Sequence, residues 1–428
     1  MIVTNKRFAR KDTQWISANS VRPALRVRVA VPPDRGLKRV AFIGNHGPRQ
    51  CGIATFTSHL VDAVSSVDRG LKISVTCMND RPEGYAYPER VGFQIDDQDL
   101  GSYKSAAAHI NRSGADVVSL QHEFGIFGGP AGSHLLTLLE HLDIPVVATL
   151  HTILREPNHE QRYVMDRLNL LCQRFVVMSK RAVQLLVDVY GFDRDRIDMI
   201  HHGIPDIPFD SKLACLKSRG VDESKMLLTF GLLGPGKGIE HAISAMPEIV
   251  ASHPDARYMI VGATHPNLVE HEGERYREHL MQLACDLNVR SNILFHNRFV
   301  TQEELEMLLM AADVYITPYP HIEQICSGTL AYALGCGNAV VSTPYWHAQE
   351  LLADGRGILV PVNDASGIAG AVTSLLDDPE RRFAMQERAY AYGREMIWSE
   401  VGARYLESFR RARSSIHSRA AVLTTCRV

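Results

Sequence analysis

The sequence has no run of about 18 uninterrupted apolar residues, which is the length that a membrane-spanning helix needs. The residues near position 1 also lack the apolar segment of a secretion signal. The eight cysteines are scattered, without a C-x-x-C pair or the spacing of a disulfide framework. We therefore expect a soluble protein of the reducing cytosol.

Metal-ligand motifs are also missing, although the chain contains 19 histidines. His201 and His202 are adjacent rather than three or four positions apart on one helix face. The H-E-x-x-H pattern and the Cys/His knuckle are absent. The sequence therefore predicts no metal and no other bound cofactor.

Neither sign of charge dominates, since the formal net charge is −2. This balance argues against the basic footprint of a nucleic-acid-binding protein. Basic residues are nevertheless concentrated in an arm at residues 1–37 and in a second group near the other end. Such segments are typical of solvated tails, and the alternative is weak peripheral contact with anionic lipid at the inner face of the membrane. The second group consists of Arg410, Arg411, Arg413 and Arg419.

Length and composition favour two α/β domains. A chain of 428 residues exceeds one ordinary core and suits two domains of roughly 150 to 200 residues each. The hydrophobic fraction of 45% and the charged fraction of 22% are those of ordinary globular proteins. We place a first Rossmann-like domain at residues 38–208, a second at 209–392, and a C-terminal helix with a basic tail at 393–428. Residues 203–210 contain two prolines and are the candidate linker.

Apolar runs predict strands that alternate with helices, and this alternation indicates parallel sheets. Residues 39–44 form the first run, and a Gly-containing loop and a helical pattern at 53–66 follow it. The cycle restarts at residues 225–230, again with a Gly-rich loop and then a helix at 239–253. A long helix is predicted over residues 379–413. Further strands are predicted at residues 72–77, 116–120, 145–150, 174–178, 258–261, 292–295, 314–317, 339–342 and 357–360.

The loop from Gly231 to Gly238 joins a predicted strand to a predicted helix, where backbone N–H groups and the helix dipole favour phosphate. Lys237 adds a positive charge to this loop. The loop follows the G-x-x-x-x-G-K pattern of nucleoside triphosphatases, but Gly238 stands where that pattern has a magnesium-binding Ser or Thr. The loop therefore predicts a phosphate site, with a purely structural glycine turn as the alternative.

A second anion site is predicted at Ser327, Gly328 and Thr329, which open an apolar helical stretch. These residue types at a helix start fit an N-cap with free backbone amides, and capping alone is the alternative explanation. Glu323 and Gln324 lie just upstream on the same loop. They are therefore candidates for contacting hydroxyl groups of a ligand.

Polar residues also follow two predicted strands in the first half of the chain. His151 comes directly after the strand at 145–150, and His122 and Glu123 follow the strand at 116–120. Ligands bind at the carboxyl ends of strands in open α/β sheets. Two polar clusters at consecutive strand ends therefore favour a functional site over structural histidines.

With these motifs in order, the chain resembles the retaining GT-B glycosyltransferases of family four, the group 1 transferases, over roughly residues 38–410. The resemblance implies two Rossmann-like domains that face each other across a cleft. It also implies transfer of a hexose from a nucleotide diphosphate sugar, used as co-substrate, to a carbohydrate or lipid-linked acceptor in polysaccharide or cell-envelope assembly. The matching segments are loop 47–52, the T-x-H-T element at 149–152, loop 231–238, the glycine-bearing helix and V-V strand at 334–341, and the closing stretch from Glu350 to Gly357.

The resemblance assigns roles to individual residues. It implies that Lys237 and the amides of the second anion site hold the donor's phosphates without a metal. It also implies that His151 contacts the donor sugar or supports the reacting face. His151 and Glu323 are the catalytic candidates. His122 and Glu123 lie on the acceptor side. The full donor-binding set is Gly52, Gly231, Lys237, Gln324, Ser327, Gly328, Thr329 and Glu350.

Two positions depart from the family pattern. Leu232 stands where the family usually has an arginine that binds phosphate, and the family's paired glutamates fall at Gln324 and Tyr332. Both departures concern the nucleotide, so they fit a phosphorylase of the same fold that uses inorganic phosphate. A non-catalytic scaffold subunit is the third hypothesis, although Lys237 and His151 argue for an enzyme.

Overall fold

The computed structural model describes residues 36–210, 212 and 225–425, with side chains described as far as 415 apart from position 267. The predicted basic arm lies almost wholly outside the described residues. Leu37–Val428 group into one compact unit, which contains two parallel β-sheets.

The first sheet has the strand order β3-β2-β1-β4-β5-β6-β7, and every neighbouring pair is parallel. Its strands are β1 (Arg39–Gly44), β2 (Lys72–Asn79), β3 (Val91–Asp96), β4 (Val117–His122), β5 (Val146–Leu150), β6 (Arg174–Val177) and β7 (Ile197–Met199). The helices between them are α1 (Gly52–Val67), α2 (Leu100–Arg112), α3 (His134–Glu140), α4 (His159–Leu171) and α5 (Lys180–Asp188).

The second sheet has the order β10-β9-β8-β11-β12-β13 and is also parallel throughout. Its strands are β8 (Met226–Phe230), β9 (Arg257–Val261), β10 (Ile293–His296), β11 (Val314–Thr317), β12 (Ala339–Ser342) and β13 (Ile358–Leu359). Its helices are α6 (Ile239–Ser252), α7 (Pro266–Glu272), α8 (Arg275–Asp286), α9 (Gln302–Ala311), α10 (Gly328–Gly335), α11 (Trp346–Leu351), α12 (Ala365–Asp377) and α13 (Pro379–Gly393).

The strand orders confirm the predicted pair of doubly wound α/β sheets. In each sheet the order reverses once, between β1 and β4 and between β8 and β11. The loops that leave the carboxyl ends of these strands diverge at the reversal and form a crevice there. The two Gly-rich loops found in the sequence follow β1 and β8, so each sheet carries one of them at its crevice.

The long helix predicted over residues 379–413 is broken in the structure. The chain leaves α13 at Gly393 and begins a new helix, α14 (Trp398–Thr425). Between them the backbone pairs with Ile204, whose N–H donates to the Met396 carbonyl at 2.9 Å and whose carbonyl accepts from the Trp398 N–H at 3.0 Å. A continuous helix would leave no free backbone groups for this pairing.

Helix α14 packs on the first sheet, although it follows the last strand of the second. Phe409 contacts Phe42 of β1 edge to face, with ring centroids 6.2 Å apart. Arg411 pairs with Asp198 at 3.3 Å and also with Glu407, and Arg413 pairs with Asp116 at 3.4 Å. These arginines of the predicted basic tail therefore bind the folded unit, and Arg419 lies beyond the described side chains. Among the described residues, no helix combines the length and apolarity needed to cross a membrane.

Candidate active site

A cavity of about 740 Å³ lies between the two sheets and is lined by residues from both. The first sheet contributes the loop after β1, the start of α1 and residues that follow β4 and β5. The second sheet contributes the loop after β8, the loop after β10 and the start of α10. Both crevices thus open into one cavity, as expected for ligands that bind at the carboxyl ends of parallel strands.

The loop after β8 brings Lys237 to the cavity. Gly238, the next residue, has a positive φ of 62°, and a Cβ atom there would lie 2.1 Å from the Pro318 carbonyl oxygen. Only glycine fits this position, because the backbone is left-handed and another loop lies against it. Gly231 also lines the cavity, with a φ of 131°. The backbone conformation of this loop therefore requires glycine at these positions, and this conformation brings Lys237 to the cavity.

The first turn of α10 faces the same cavity, which Ser327, Gly328 and Thr329 line. The Ser327 hydroxyl oxygen accepts from the Leu330 N–H at 3.3 Å, so Ser327 is the N-cap. The Ser327 N–H donates to His347 Nδ1 at 2.8 Å, which leaves that amide unavailable to a ligand. The amides of Gly328 and Thr329 begin the helix and have no intrahelical acceptor, so these two are the anion-binding groups.

His202 reaches α10 from the chain segment that follows β7. A Cβ atom on Gly328 would lie 2.7 Å from His202 Nε2, so the close approach requires glycine. Phe56 of α1 holds both His202 and His151 by edge contacts, with centroid separations of 5.0 and 4.9 Å. Burial lowers the pKa of His202 to about 4 and the pKa of His151 to about 3. Both imidazoles are therefore neutral at neutral pH.

The wall formed by the first sheet carries the polar residues predicted from the strand ends. His151 Nε2 lies 3.0 Å from Gln121 Oε1, so this nitrogen carries the proton and Nδ1 is the acceptor of the ring. Glu123 accepts hydrogen bonds from the Thr152 hydroxyl at 2.6 Å and the Phe124 N–H at 3.0 Å. Burial raises the pKa of Glu123, although these two hydrogen bonds lower it.

Two cations at the cavity are already paired with carboxylates. Arg49, on the loop after β1, binds Asp80 at 2.7 Å, and Arg298 binds Glu304 through two nitrogens at 2.7 and 2.6 Å. Lys237 instead donates to the hydroxyl of Tyr319, at 3.0 Å. Tyr319 has no signal in the sequence, because it lies in a Pro-flanked turn without a recognisable motif.

Tyr332 occupies the position at which the family resemblance places the second glutamate. Its hydroxyl lies 2.9 Å from Nδ1 of His59, on α1, and both residues line the cavity. The side chain therefore joins the two halves of the molecule across the cavity instead of presenting a carboxylate to it. The partner was not visible in the sequence, since no local pattern links α1 to α10.

Nine of the predicted site residues line the cavity, and three do not. His122 is fully buried, with its ring stacked on Phe127, so it contacts the core instead of an acceptor. Glu323 is exposed and lies outside the cavity lining, whereas its neighbour Gln324 belongs to it. Glu350 accepts two hydrogen bonds from the Lys180 N–H, at 3.0 and 2.9 Å, and so connects α11 to the start of α5. The nine are Gly52, Glu123, His151, Gly231, Lys237, Gln324, Ser327, Gly328 and Thr329.

The described residues bring no three His, Cys, Asp or Glu side chains together in a geometry that could hold a metal ion. The positive groups at the cavity are side chains and helix amides. Their arrangement, opposite a wall with a carboxylate and a neutral histidine, suits a ligand with a phosphate at one end and hydroxyl groups at the other.

Comparison with known proteins gives a match in each half of the chain. The family model described as "Glycosyltransferase Family 4" matches residues 51–206, and the model described as "Glycosyl transferases group 1" matches residues 216–392. The chain is also similar to HepE from Anabaena, solved in complex with UDP and glucose. That similarity has a TM-score of 0.67 at 16% identity and covers 87% of this chain and 99% of HepE.

The chain is similar in sequence to several relatives, including a mannosyltransferase and an inositol phosphate glycosyltransferase. A GDP-mannose-dependent monoacylated alpha-(1-6)-phosphatidylinositol monomannoside mannosyltransferase of Corynebacterium glutamicum is 30% identical over 207 residues, which are 47% of this chain and 51% of the relative. A D-inositol 3-phosphate glycosyltransferase of Thermomonospora curvata is 26% identical over 259 residues, or 58% and 59% of the two chains. The matched region thus spans between half and three fifths of these relatives.

Two facing doubly wound sheets and the similarity to HepE define a GT-B protein. The chain belongs to the family 4, or group 1, glycosyltransferases.

Proposed function

We propose that the protein transfers a hexose from a nucleotide diphosphate sugar to a carbohydrate or lipid-linked acceptor, with retention of configuration and without a metal. Polysaccharide or cell-envelope assembly is the proposed setting. The observation that carries the proposal is the arrangement of Lys237 and the first turn of α10 on one wall of the cavity, opposite His151 and Glu123 on the other.

The chemistry of the leaving group motivates this assignment. When the bond between the sugar and the diphosphate breaks, negative charge develops on the phosphate oxygens and positive charge on the sugar ring. The Lys237 ammonium and the amides of Gly328 and Thr329 lie at the cavity and can stabilise the departing diphosphate. These groups supply the positive charge that a divalent cation supplies in metal-dependent transferases, which supports metal independence.

The opposite wall supports a hydroxylated acceptor. Glu123 is held by Thr152 and Phe124, and it can accept a hydrogen bond from an attacking or neighbouring hydroxyl group. His151 is neutral and has Nδ1 free of a proton, so it can accept from a sugar hydroxyl. The names of the two relatives, a GDP-mannose-dependent mannosyltransferase and an inositol phosphate glycosyltransferase, support transfer to a polyol or sugar.

A second candidate function is phosphorolysis of a glycosidic bond by inorganic phosphate. The hydrogen bond between Tyr332 and His59 favours phosphorolysis. The Tyr332 hydroxyl, already paired across the cavity, stands where the family resemblance places a glutamate that would bind the ribose of a nucleotide. Leu232 favours it as well, since one phosphate-binding charge is missing from the loop after β8. A non-catalytic scaffold remains the third hypothesis.

The test is a release assay with purified protein, a panel of UDP-, GDP- and ADP-sugars, and mono- and oligosaccharide acceptors, each with and without EDTA. We expect one donor to release its nucleoside diphosphate in an acceptor-dependent manner, unaffected by EDTA, with the product anomer matching the donor anomer by NMR. Lys237→Ala should abolish release, and Lys104→Ala, which changes an exposed lysine of α2, should not. The same acceptors are also offered with sugar 1-phosphates: acceptor-dependent release of inorganic phosphate, without turnover of any nucleotide sugar, supports the phosphorylase. No turnover with any compound supports the scaffold.

A further inference from the structure

Tyr319 lies where the β8 and β11 loops meet, because β8 and β11 are neighbours at the reversal of the second sheet. It lines the cavity, although only 4% of the residue is exposed. Its ring stacks on Tyr345 with centroids 5.0 Å apart and planes at 17°. The Tyr319 carbonyl accepts from the Thr343 hydroxyl at 2.6 Å. The phenol is therefore held in one orientation by packing and by its own backbone.

The hydroxyl of Tyr319 stands between Lys237 and the start of α10. Lys237 Nζ lies 3.0 Å from this oxygen and 4.4 Å from the ring centroid. On the other side, the Tyr319 oxygen lies 3.0 Å from Thr329 Oγ1, which lies 3.3 Å from Ser327 Oγ. Lysine, tyrosine, threonine and serine thus form one chain of hydrogen bonds that ends at the helix N-terminus.

The direction of these hydrogen bonds follows from the chemistry of lysine. An ammonium group has only donors, so the Tyr319 oxygen accepts from Lys237 and its own proton must point elsewhere. That proton can go to Thr329 or to an anion in the cavity. Burial by itself would raise the pKa of Tyr319, but the Lys237 charge and the hydrogen-bonding side chains of Thr329, Lys237 and Ser327 outweigh it, so this pKa lies below its usual value. Such a phenol is a stronger hydrogen-bond donor than an ordinary one.

The neighbouring side chains at the cavity that could bind a phosphate are either uncharged or already paired. Leu232, which also lines the cavity, supplies no charge, and Arg49 and Arg298 are each paired with a carboxylate. We propose that the Tyr319 hydroxyl is a catalytic hydrogen-bond donor to the departing phosphate of the donor substrate, in the place of the charge missing at Leu232. This assignment rests on the proposed transferase function.

The step involves no change of proton on Tyr319 itself. The bond between the sugar C1 and the phosphate oxygen breaks, and its electron pair stays on that oxygen. An acceptor hydroxyl forms the new bond to C1 and loses its proton, which the departing phosphate takes up. Tyr319 keeps its proton and donates a hydrogen bond to the phosphate oxygens, a contact that strengthens as their charge grows.

The test compares Tyr319→Phe with Tyr258→Phe, which removes a buried hydroxyl of β9 that binds Thr229 and lies outside the cavity lining. We expect Tyr319→Phe to lower kcat by about 100- to 1000-fold with donor KM changed only a few-fold, as for loss of one oxyanion donor. The fall of wild-type kcat at alkaline pH should also move to higher pH in Tyr319→Phe. Tyr258→Phe should keep both the rate and the pH profile.

The other results distinguish failure of the Tyr319 assignment from failure of the transferase function. If wild-type protein transfers sugar and Tyr319→Phe keeps the kcat of Tyr258→Phe, Tyr319 is not catalytic, although the transferase function stands. A lower kcat with an unmoved alkaline limb indicates a structural role instead. If no donor is turned over by the wild type, the transferase function fails, and titration with inorganic pyrophosphate by ³¹P NMR decides. Weaker pyrophosphate binding in Tyr319→Phe then supports the contact with phosphate, and equal binding overturns it.

Discussion

Tyr332 and His59 meet across the cavity, with the tyrosine hydroxyl 2.9 Å from His59 Nδ1 although the two residues are 273 positions apart. His59 belongs to α1 beside the first sheet, and Tyr332 to α10 beside the second. Burial lowers the pKa of His59, so its ring is neutral and one of the two groups donates to the other. This hydrogen bond joins the two halves of the molecule at the cavity, which both side chains line.

A double-mutant cycle of His59→Phe and Tyr332→Phe should measure this bond. Because each single change leaves one buried polar group without its partner, we expect the two thermal destabilisations to be non-additive by roughly 0.5 to 1.5 kcal/mol. Melting curves of the four proteins give the coupling. Additive effects would mean that the two side chains do not interact in solution.

Gly328→Ala should weaken catalysis by displacing His202. The new Cβ atom would lie 2.7 Å from His202 Nε2, and the imidazole or the helix must move. We expect kcat/KM to fall about 10- to 100-fold, since small misplacements at a reacting centre have effects of this size. The matched control is Gly370→Ala on α12, where a Cβ atom would meet no other atom within 4 Å. This substitution should stabilise the helix by about 0.5 to 1 kcal/mol and leave the kinetics unchanged. Equal kinetics in the two variants would contradict the steric argument.

Lys212 should be a strong determinant of stability in the second half. It is fully buried, and its ammonium group donates to the Leu309 and Ala312 carbonyls at 2.9 and 3.2 Å and to Asn338 Oδ1 at 2.9 Å. Lys212→Met leaves these acceptors unpaired, which we expect to cost about 2 to 4 kcal/mol and to lower the melting temperature by roughly 5 to 10 °C.

The control for that change is Lys225→Met, which removes a partly exposed lysine only 3.9 Å from Asp255. Surface pairs of this kind contribute less than about 1 kcal/mol, so the control should melt close to the wild type. Similar melting temperatures for the two variants would show that Lys212 does not cap the end of α9.

Acid should destabilise the protein through His122. Burial lowers its pKa to about 4, whereas the unfolded chain binds a proton below about 6.5. Its stabilising contribution is therefore complete above pH 6.5 and is lost as the pH falls toward 4, by about 2 kcal/mol at pH 5. His122→Phe should remove this loss. In denaturant titrations, the free energy of unfolding should therefore fall less between pH 8 and pH 5 in His122→Phe than in the wild type. His159→Gln, at an exposed position of α4, should follow the wild type, and a His122→Phe curve parallel to the wild type would refute the linkage.

Much of the fold could be predicted because its strands are buried apolar runs. The strands at 39–44, 314–317 and 339–342 have the predicted bounds. Strand β3 was missed because it lies at the edge of its sheet, with mixed burial and no apolar run, and β7 because it has only three residues. The broken last helix was missed since the break depends on pairing with Ile204, far away in the sequence.

The residues of the site also fall into two groups, those with a local signal in the sequence and those without one. Lys237 and the residues that start α10 could be predicted, because glycine loops and helix N-termini leave local signals in the sequence. Tyr319 carries no such signal, since its function depends on β8 and β11 being neighbours. Glu350 was assigned to the donor by resemblance, but in the structure its carboxylate binds the start of α5. Contacts of this kind between distant segments follow from the tertiary fold and not from any local pattern.

The most direct test of the proposed function is saturation-transfer NMR of the wild type, Lys237→Ala and Lys104→Ala. The ligands are UDP-, GDP- and ADP-sugars, inorganic phosphate and sugar 1-phosphates. We predict that one nucleotide sugar gives a saturation-transfer signal with the wild type and with Lys104→Ala. Lys237→Ala should lose this signal, because Lys237 holds the diphosphate. Saturation of a sugar 1-phosphate with no nucleotide contact would contradict the nucleotide-sugar donor, and silence across all the ligands would contradict an enzymatic role altogether.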